Sequence, residues 1–440
     1  MQERKRQSAE SPAEAAVYRK VTLRLIPFLF ICYVCAYIDR VNVGFAKLQM
    51  SVDLGFSETA YGTGAGIFFI GYFFFEIPSN LLLQRFGARV WIMRIMVVWG
   101  LISMTMSMVG SELWFYIARF LLGVAEAGFF PGVILYLTYW YTQKHRVRMV
   151  AGFMTAIAVT GVVGGPVSGW IMETFAGYSG LAGWQWLFIL EGLPAVLVGL
   201  MVLVFLDDGP REARWLSPEE KAIVSKRLEE EQEEKNRKHT GSTLGDALRS
   251  PFVWVLSAVY FGAVMGLYGI SFWLPQIVRD MGIQSTRDIG LITAIPWAAA
   301  AIGMVLVGRH SDATQERRWH IAIASFAASV GFMASALFTG SPVLSLLALT
   351  VSAVGVMSVL SSFWALPTAV LSGTAAAAGL ALINSFGNLA GHVSPSVVGF
   401  IKDLTGELTG GLWVLAASLM LSCLLVLWLT RKSRLDMSLH

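Results

Sequence analysis

The chain has 440 residues, of which 55% are hydrophobic and 14% charged, with a formal net charge of +4 and a mean hydropathy of +0.62. This balance excludes an ordinary soluble domain. The basic residues sit in short clusters between apolar runs rather than on one polar face, which speaks against a nucleic-acid surface and for membrane orientation.

About 20 apolar residues cross a bilayer, and on that measure the chain divides into twelve spans. Six lie at 22–46, 61–83, 91–109, 113–139, 150–172 and 186–206, and six more at 252–278, 289–307, 321–338, 343–366, 375–401 and 412–429. The expected fold is an all-α membrane protein, with twelve transmembrane helices in two six-helix bundles. The N-terminal bundle takes 1–206, a cytoplasmic linker with a charged helix 207–250, and the C-terminal bundle and cytoplasmic tail 251–440. Residues 1–20 are polar and carry no short apolar core with a small-residue cleavage site, so no cleaved signal peptide is expected. Basic residues mark the cytoplasmic side of short loops. Arg4, Lys5, Arg6, Arg19 and Lys20 precede the first span, Arg85 and Arg89 follow the second, and Lys144, Arg146 and Arg148 the fourth. Arg309, Arg317 and Arg318 follow the eighth, and Arg431, Lys432 and Arg434 the last. Both termini are therefore expected in the cytoplasm.

In the first span, Tyr37-Ile38-Asp39-Arg40-Val41-Asn42 places an acid beside an arginine. Cys32 and Cys35 nearby, like Cys423, read as small buried hydrophobes. In the fourth span, Arg119 and Glu126 interrupt a run otherwise apolar enough to cross. An ionisable group at the centre of a membrane helix costs roughly 2.5 to 3.5 kcal/mol on insertion scales, so it faces a partner or a wet cavity. Seven positions separate the two, which puts them on one face but roughly 10 Å apart. Each then needs a counter-charge from another helix, and the first span offers both signs. Two acids and two arginines are expected around one central chamber.

Glu76, beside Pro78 near the cytoplasmic end of the second span, reads as structural, and His392 as a packed histidine. The faces Gly62-Thr63-Gly64-Ala65-Gly66 and 161–169 read as surfaces for close helix approach. In the linker, Ser217-Pro218-Glu219-Glu220 has the form of a capping box and predicts a solvated helix to about Lys235. No glycine loop for phosphate follows a strand, the six His are scattered, and no metal-ligand spacing appears. Transport on an ion gradient, without cofactor or metal, is the expectation. Short basic turns recur at corresponding places in the two halves, around Gln84-Arg85-Phe86-Gly87-Ala88-Arg89 and Gly308-Arg309-His310-Ser311-Asp312. Such internal repetition is the pattern of secondary transporters, whose substrate site lies between the halves near the midplane.

With these turns in view the chain resembles the major facilitator superfamily. The second-half turn keeps Gly308 and Asp312, while the first-half turn has Asn80 and Gln84 in place of the family's glycine and acid. A narrower resemblance, to the anion:cation symporter family of organic-carboxylate carriers, rests on four pieces. They are 37–42, Phe75-Glu76-Ile77-Pro78-Ser79-Asn80, 119–131, and Gly269-Ile270-Ser271-Phe272-Trp273-Leu274-Pro275. The resemblance implies a substrate-carboxylate arginine at Arg40, a proton-coupling pair at Asp39 and Glu126, and an arginine at Arg119 that pairs with an acid across the bundle. It further implies a substrate-binding lining of Tyr37 and Tyr72 in the first half and Ser361, Trp364 and Asn384 in the second. Trp273 and Trp364 are open to two readings, stacking on a ligand or packing.

The charges lead to a similar place. Arg40 and Arg119 against Asp39 and Glu126 sum to zero, so an arriving carboxylate makes a nearby acid take up a proton, and the two bindings become linked. The expected function is import of a small organic carboxylate, a hydroxy or sugar acid such as a tartrate, with protons; sodium stays open. An aromatic carboxylate, uniport and anion exchange are the alternatives within transport, and a ligand-sensing receptor the alternative outside it. The expected setting is the inner membrane, and the expected form a monomer.

Overall fold

The computed structural model describes residues 11–237, 248–370 and 373–432, and every regular element among them is a helix. The first crossing is α1 (Pro12–Val41) with α2 (Val43–Leu54). The second is α3 (Glu58–Phe86) and the third α4 (Ala88–Thr105). The fourth is split into α5 (Glu112–Glu126) and α6 (Phe129–Thr138), and α7 (Gln143–Thr174) and α8 (Gly183–Phe205) complete the first half. The charged helix α9 (Pro218–Arg237) follows. The second half has α10 (Pro251–Asp280), α11 (Thr286–Thr314), α12 (Arg318–Leu337), α13 (Pro342–Phe363) with the short α14 (Ala365–Val370), α15 (Gly373–Asn388), α16 (Ala390–Thr405) and α17 (Thr409–Lys432). Among the described residues, 11 helices are long and apolar enough to cross a membrane. The remaining expected crossing, the eleventh at 375–401, is built from α15 and α16, of 16 residues each, which meet at Leu389.

The helix ends follow local chemistry. Ser57 and Ser285 accept hydrogen bonds from Ala60 N (3.0 Å) and Asp288 N (3.1 Å) and start α3 and α11, as a side-chain oxygen at that position does for orphan backbone donors. The capping box opening α9 forms in full: Glu220 N donates to Ser217 Oγ at 3.2 Å, and Ser217 N to Glu220 Oε2 at 2.8 Å. Rather than standing free in solvent, α9 lies against the first half. Arg227 donates through Nε and Nη2 to both oxygens of Glu14 at 2.8 Å, and Lys20 pairs with Glu220 at 2.7 Å. The backbone N–H of Gln143 donates to Glu231 at 2.7 Å.

The two halves meet where glycine removes side chains. The second crossing touches the eleventh and the fifth touches the eighth: a Cβ on Gly62 would run into the Pro395 carbonyl, and one on Gly290 into that of Gly165. Both glycine faces singled out in the sequence lie on these seams, which is how backbones reach contact inside a membrane.

Polar contacts across the halves gather at the end remote from the described chain ends. Asp403 accepts from the N–H groups of Glu58 (3.0 Å) and Thr59 (2.7 Å), and Glu173 from Ser285 Oγ (2.7 Å) and Arg287 N (3.1 Å). Lys402 pairs with Glu58 at 3.3 Å. Lys47, 3% exposed, joins Glu58 at 2.8 Å and Gln276 at 3.0 Å, its ammonium between the rings of Tyr61 and Trp273. That end of the seam is sealed. On the opposite side, the basic turns close within their own halves: Arg317 pairs with Asp312 at 2.6 Å, while Asp208 accepts from Arg89 N at 2.9 Å. Asp208 thus supplies the acid that the first-half turn lacks.

Candidate substrate and coupling site

Neighbouring residues of a helix point roughly 100° apart, and this decides how the first crossing presents its charges. Tyr37 and Arg40 fall on one face, which looks across the gap to the second half. Asp39 and Asn42 fall on another, which looks into the first half. Arg40, 8% exposed, donates through Nη1 to the hydroxyl of Tyr268 in α10 at 3.0 Å and through Nη2 to Glu126 Oε1. The rings of Phe68 (5.4 Å), Tyr72 (5.5 Å) and Tyr37 (5.8 Å) surround its guanidinium.

Glu126 closes α5. Pro131 has no N–H and its ring clashes with the carbonyl four residues back, that of Ala127. The helix accordingly stops, Ala127 turns extended (ψ 132°), Gly128 takes a left-handed φ of 84°, and α6 begins at Phe129. The fourth crossing is therefore discontinuous at its acid, and Glu126 keeps one buried oxygen, Oε2, without a hydrogen-bond partner.

Two expectations need correction. Among the described residues Arg119 has no acid within ion-pair distance. It lies inside the first half, 0% exposed, and its guanidinium donates to the backbone carbonyls of Ala65 (3.1 Å), Gly64 (3.4 Å) and Arg40 (3.5 Å). The glycine-rich face of α3 lets it approach that backbone, and helix carbonyls take the place of a carboxylate. Asp39 does not share a chamber with Arg40. It accepts from Trp99 Nε1 and Ser103 Oγ of α4, each at 2.9 Å, because adjacency along a helix separates directions. Of the four charges expected in the gap, it therefore holds two, the Arg40–Glu126 pair.

The remaining expected residues are scattered. Tyr37 and Tyr72 are buried against Arg40. Asn384 donates to Glu76 Oε1 across the gap at 3.2 Å, so Glu76 spans the halves rather than serving only its own. Trp364 packs on Tyr260, ring centres 5.0 Å apart. Ser361 is exposed and donates to the carbonyl of its own helix at Ser358, 3.0 Å away, apart from the Arg40 cluster. Sequence reasoning missed Tyr268, whose hydroxyl only packing brings to Arg40. It also missed Glu191, whose burial in an apolar helix is the same signal that had singled out Arg119 and Glu126.

The comparisons agree with this architecture. Residues 29–395 match the family model described as Major Facilitator Superfamily. A protein named for tartrate transport in Agrobacterium vitis is 48% identical over 420 residues, 96% of this chain and 92% of that one. The metabolite transport protein named NicT of Pseudomonas putida is 47% identical, covering 95% of each chain. Among solved structures, a bacterial homologue of the human lysosomal transporter Spinster, titled inward-facing and occupied, superposes with a TM-score of 0.74 at 18% identity, over 94% of this chain and 97% of that one. With the family model and the relatives each spanning most of its length, the chain belongs to the Major Facilitator Superfamily and is a multi-pass membrane transporter rather than an enzyme.

Proposed function

We propose that this transporter imports a small organic carboxylate together with protons by alternating access, with Arg40 holding the anion between the halves. The observation that carries this reading is the Arg40 guanidinium itself, buried in the gap, touching the second half through Tyr268 and paired with Glu126 of the first. Its planar fork suits two carboxylate oxygens. A substrate carboxylate competes with Glu126 for that fork. Once displaced, Glu126 is a buried acid with no counter-charge, a costly state that a proton relieves. Anion and proton then favour each other's binding by the same factor.

In this reading residues 1–206 and 251–440 are two bundles that rock about the substrate, and 207–250 tethers them. The termini face the cytoplasm of a cell whose inner membrane holds the carrier as a monomer, and the sealed end of the seam faces outward. The name borne by the Agrobacterium relative supports a hydroxy acid such as tartrate. The ring of Tyr37, Phe68 and Tyr72 supports an aromatic carboxylate as the second reading. The test is a thermal-shift screen of organic acids on purified protein, then uptake into proteoliposomes under an imposed pH gradient, an imposed sodium gradient, or none. Stabilisation by a carboxylate and accumulation driven by the pH gradient are expected. Equal counterflow without any gradient would replace symport by uniport or exchange, and sodium-driven accumulation would replace the proton.

A further inference from the structure

Asp39 and Glu191 share the interior of the first half, 1% and 5% exposed, and among the described residues neither lies within ion-pair distance of a Lys, Arg or His. The two carboxyls are not equally provided for. Both Asp39 oxygens accept hydrogen bonds, from Trp99 and Ser103. Glu191 receives one donor, Ser168 Oγ at 2.7 Å, on Oε1, while Oε2 is buried with no partner. Beside it stands the Asn42 amide, 1% exposed and near enough for its nitrogen to favour the carboxylate, but in a geometry that leaves both its oxygen and its nitrogen short of a well-formed hydrogen bond. Such orphaned groups are uncommon in a packed interior, and here two adjoin.

A cavity of about 30 Å³ reaches this place, lined by Asn42, Ser168 and Thr160 of the first half and by Ser271, Thr293 and Trp297 of the second. A space of that size holds a water with room to spare, and it lies between the second half and the two residues, Asn42 and Ser168, that flank Glu191. Thr160 lies on α7 two turns before Ser168, toward the end of the molecule that bears the chain ends.

We propose that Glu191, with Ser168 and Asn42, forms a second proton-binding site, inside the first half and separate from the Arg40–Glu126 pair. The proton binds Glu191 Oε2 and is shared with the Asn42 amide oxygen, which satisfies both orphans. Loss of the proton leaves a carboxylate that the same amide meets with its nitrogen. Asp39 on α1 is the charged neighbour; Trp99 and Ser103 from α4 and Ser168 from α7 are neutral. Two carboxylates in one apolar interior with no cation within ion-pair distance of either are costly, so a single proton carried by Glu191 sets the charge of the chamber. The site's role in coupling rests on the symport proposed above; its existence does not.

The full-length protein in lipid is followed by infrared difference spectroscopy as the bath is taken from mildly acidic to mildly alkaline. A carboxylic-acid carbonyl band equivalent to one group is expected to fade with rising pH and to be missing in Glu191→Gln. Ser168→Ala, which keeps the acid and removes its donor, is expected to retain the band at a shifted frequency. A wild-type spectrum identical to that of Glu191→Gln overturns the proposal, as does a Glu191 band that never changes with pH or one displaced by sodium at constant pH. If the band titrates while no carboxylate is accumulated under a pH gradient, the site stands and the symport reading falls. If a carboxylate is accumulated and no such band exists, the reverse holds.

Discussion

The two halves of the molecule bury different chemistry. Among the described residues, every buried charged side chain, from Asp39, Arg40 and Lys47 to Glu76, Arg119, Glu126 and Glu191, belongs to the first half, whereas the buried polar side chains of the second, Tyr and Trp aside, are all Ser or Thr. Several of those hydroxyls join helix to helix: Ser329 donates to Ala416 O at 2.7 Å, Ser394 to Met265 O at 2.8 Å, Ser422 to Val259 O at 3.1 Å and Ser352 to Ala328 O at 3.1 Å. The first half carries ionisable groups that can exchange partners. The second supplies the Tyr268 hydroxyl and the Asn384 amide against them. Two bundles alike in helix count thus differ inside, with buried charge on one side and a wall without it on the other.

Removing the fork should break this division most severely. Arg40→Lys keeps the charge and loses the two-pronged geometry; a hydrogen bond to a charged group contributes about 1.5–3 kcal/mol, so carboxylate affinity should fall roughly ten- to a hundredfold. Calorimetric titration measures this, and unchanged affinity would remove Arg40 from the site. Glu126→Gln should lose accumulation under a pH gradient by about a hundredfold, the lower end of the range for a proton-transfer group in position, while counterflow persists. Normal accumulation by that variant would assign coupling elsewhere. At the seam, Gly165→Leu puts a side chain against Gly290 and Thr293. It should hold the outer end open, read as labelling of a single cysteine introduced at Ser285, and lower the uptake rate severalfold with little change in melting temperature. Equal labelling of variant and parent would show that the seam does not close by backbone contact. The smallest effect is expected in the second half, where Ser329→Ala removes one interhelical hydrogen bond. Denaturation should register a loss of about 0.6 kcal/mol, the usual size of such a bond in a membrane, with transport unaltered. A transport defect there would contradict the view of that half as a neutral wall.

The spans were legible because each apolar run is as long as a bilayer is thick, and the family was legible because its motifs are local. Asn80 and Gln84 left the first-half turn without its acid, and only folding brings Asp208 beside Arg89 to replace it. The site was half legible for a related reason. Reading 37–42 as a string puts Asp39 and Arg40 together, while a helix turns them toward different neighbours, one to Trp99 and the other to Tyr268. Arg119 was flagged by its cost in an apolar run, but its solution, the carbonyls of Gly64 and Ala65, carries no side-chain signature. Tyr268, 228 positions from Arg40, could be found only by packing.

The charged helix between the halves is an outrigger of one of them. Among the described residues its anchors at Glu14, Lys20 and the backbone of Gln143 lie on the first half, so if the bundles rock as proposed it travels with that half as ballast. A dye fixed to α9 and a second on α12 would therefore change separation with every cycle, giving an optical readout of turnover without touching a residue inside the membrane.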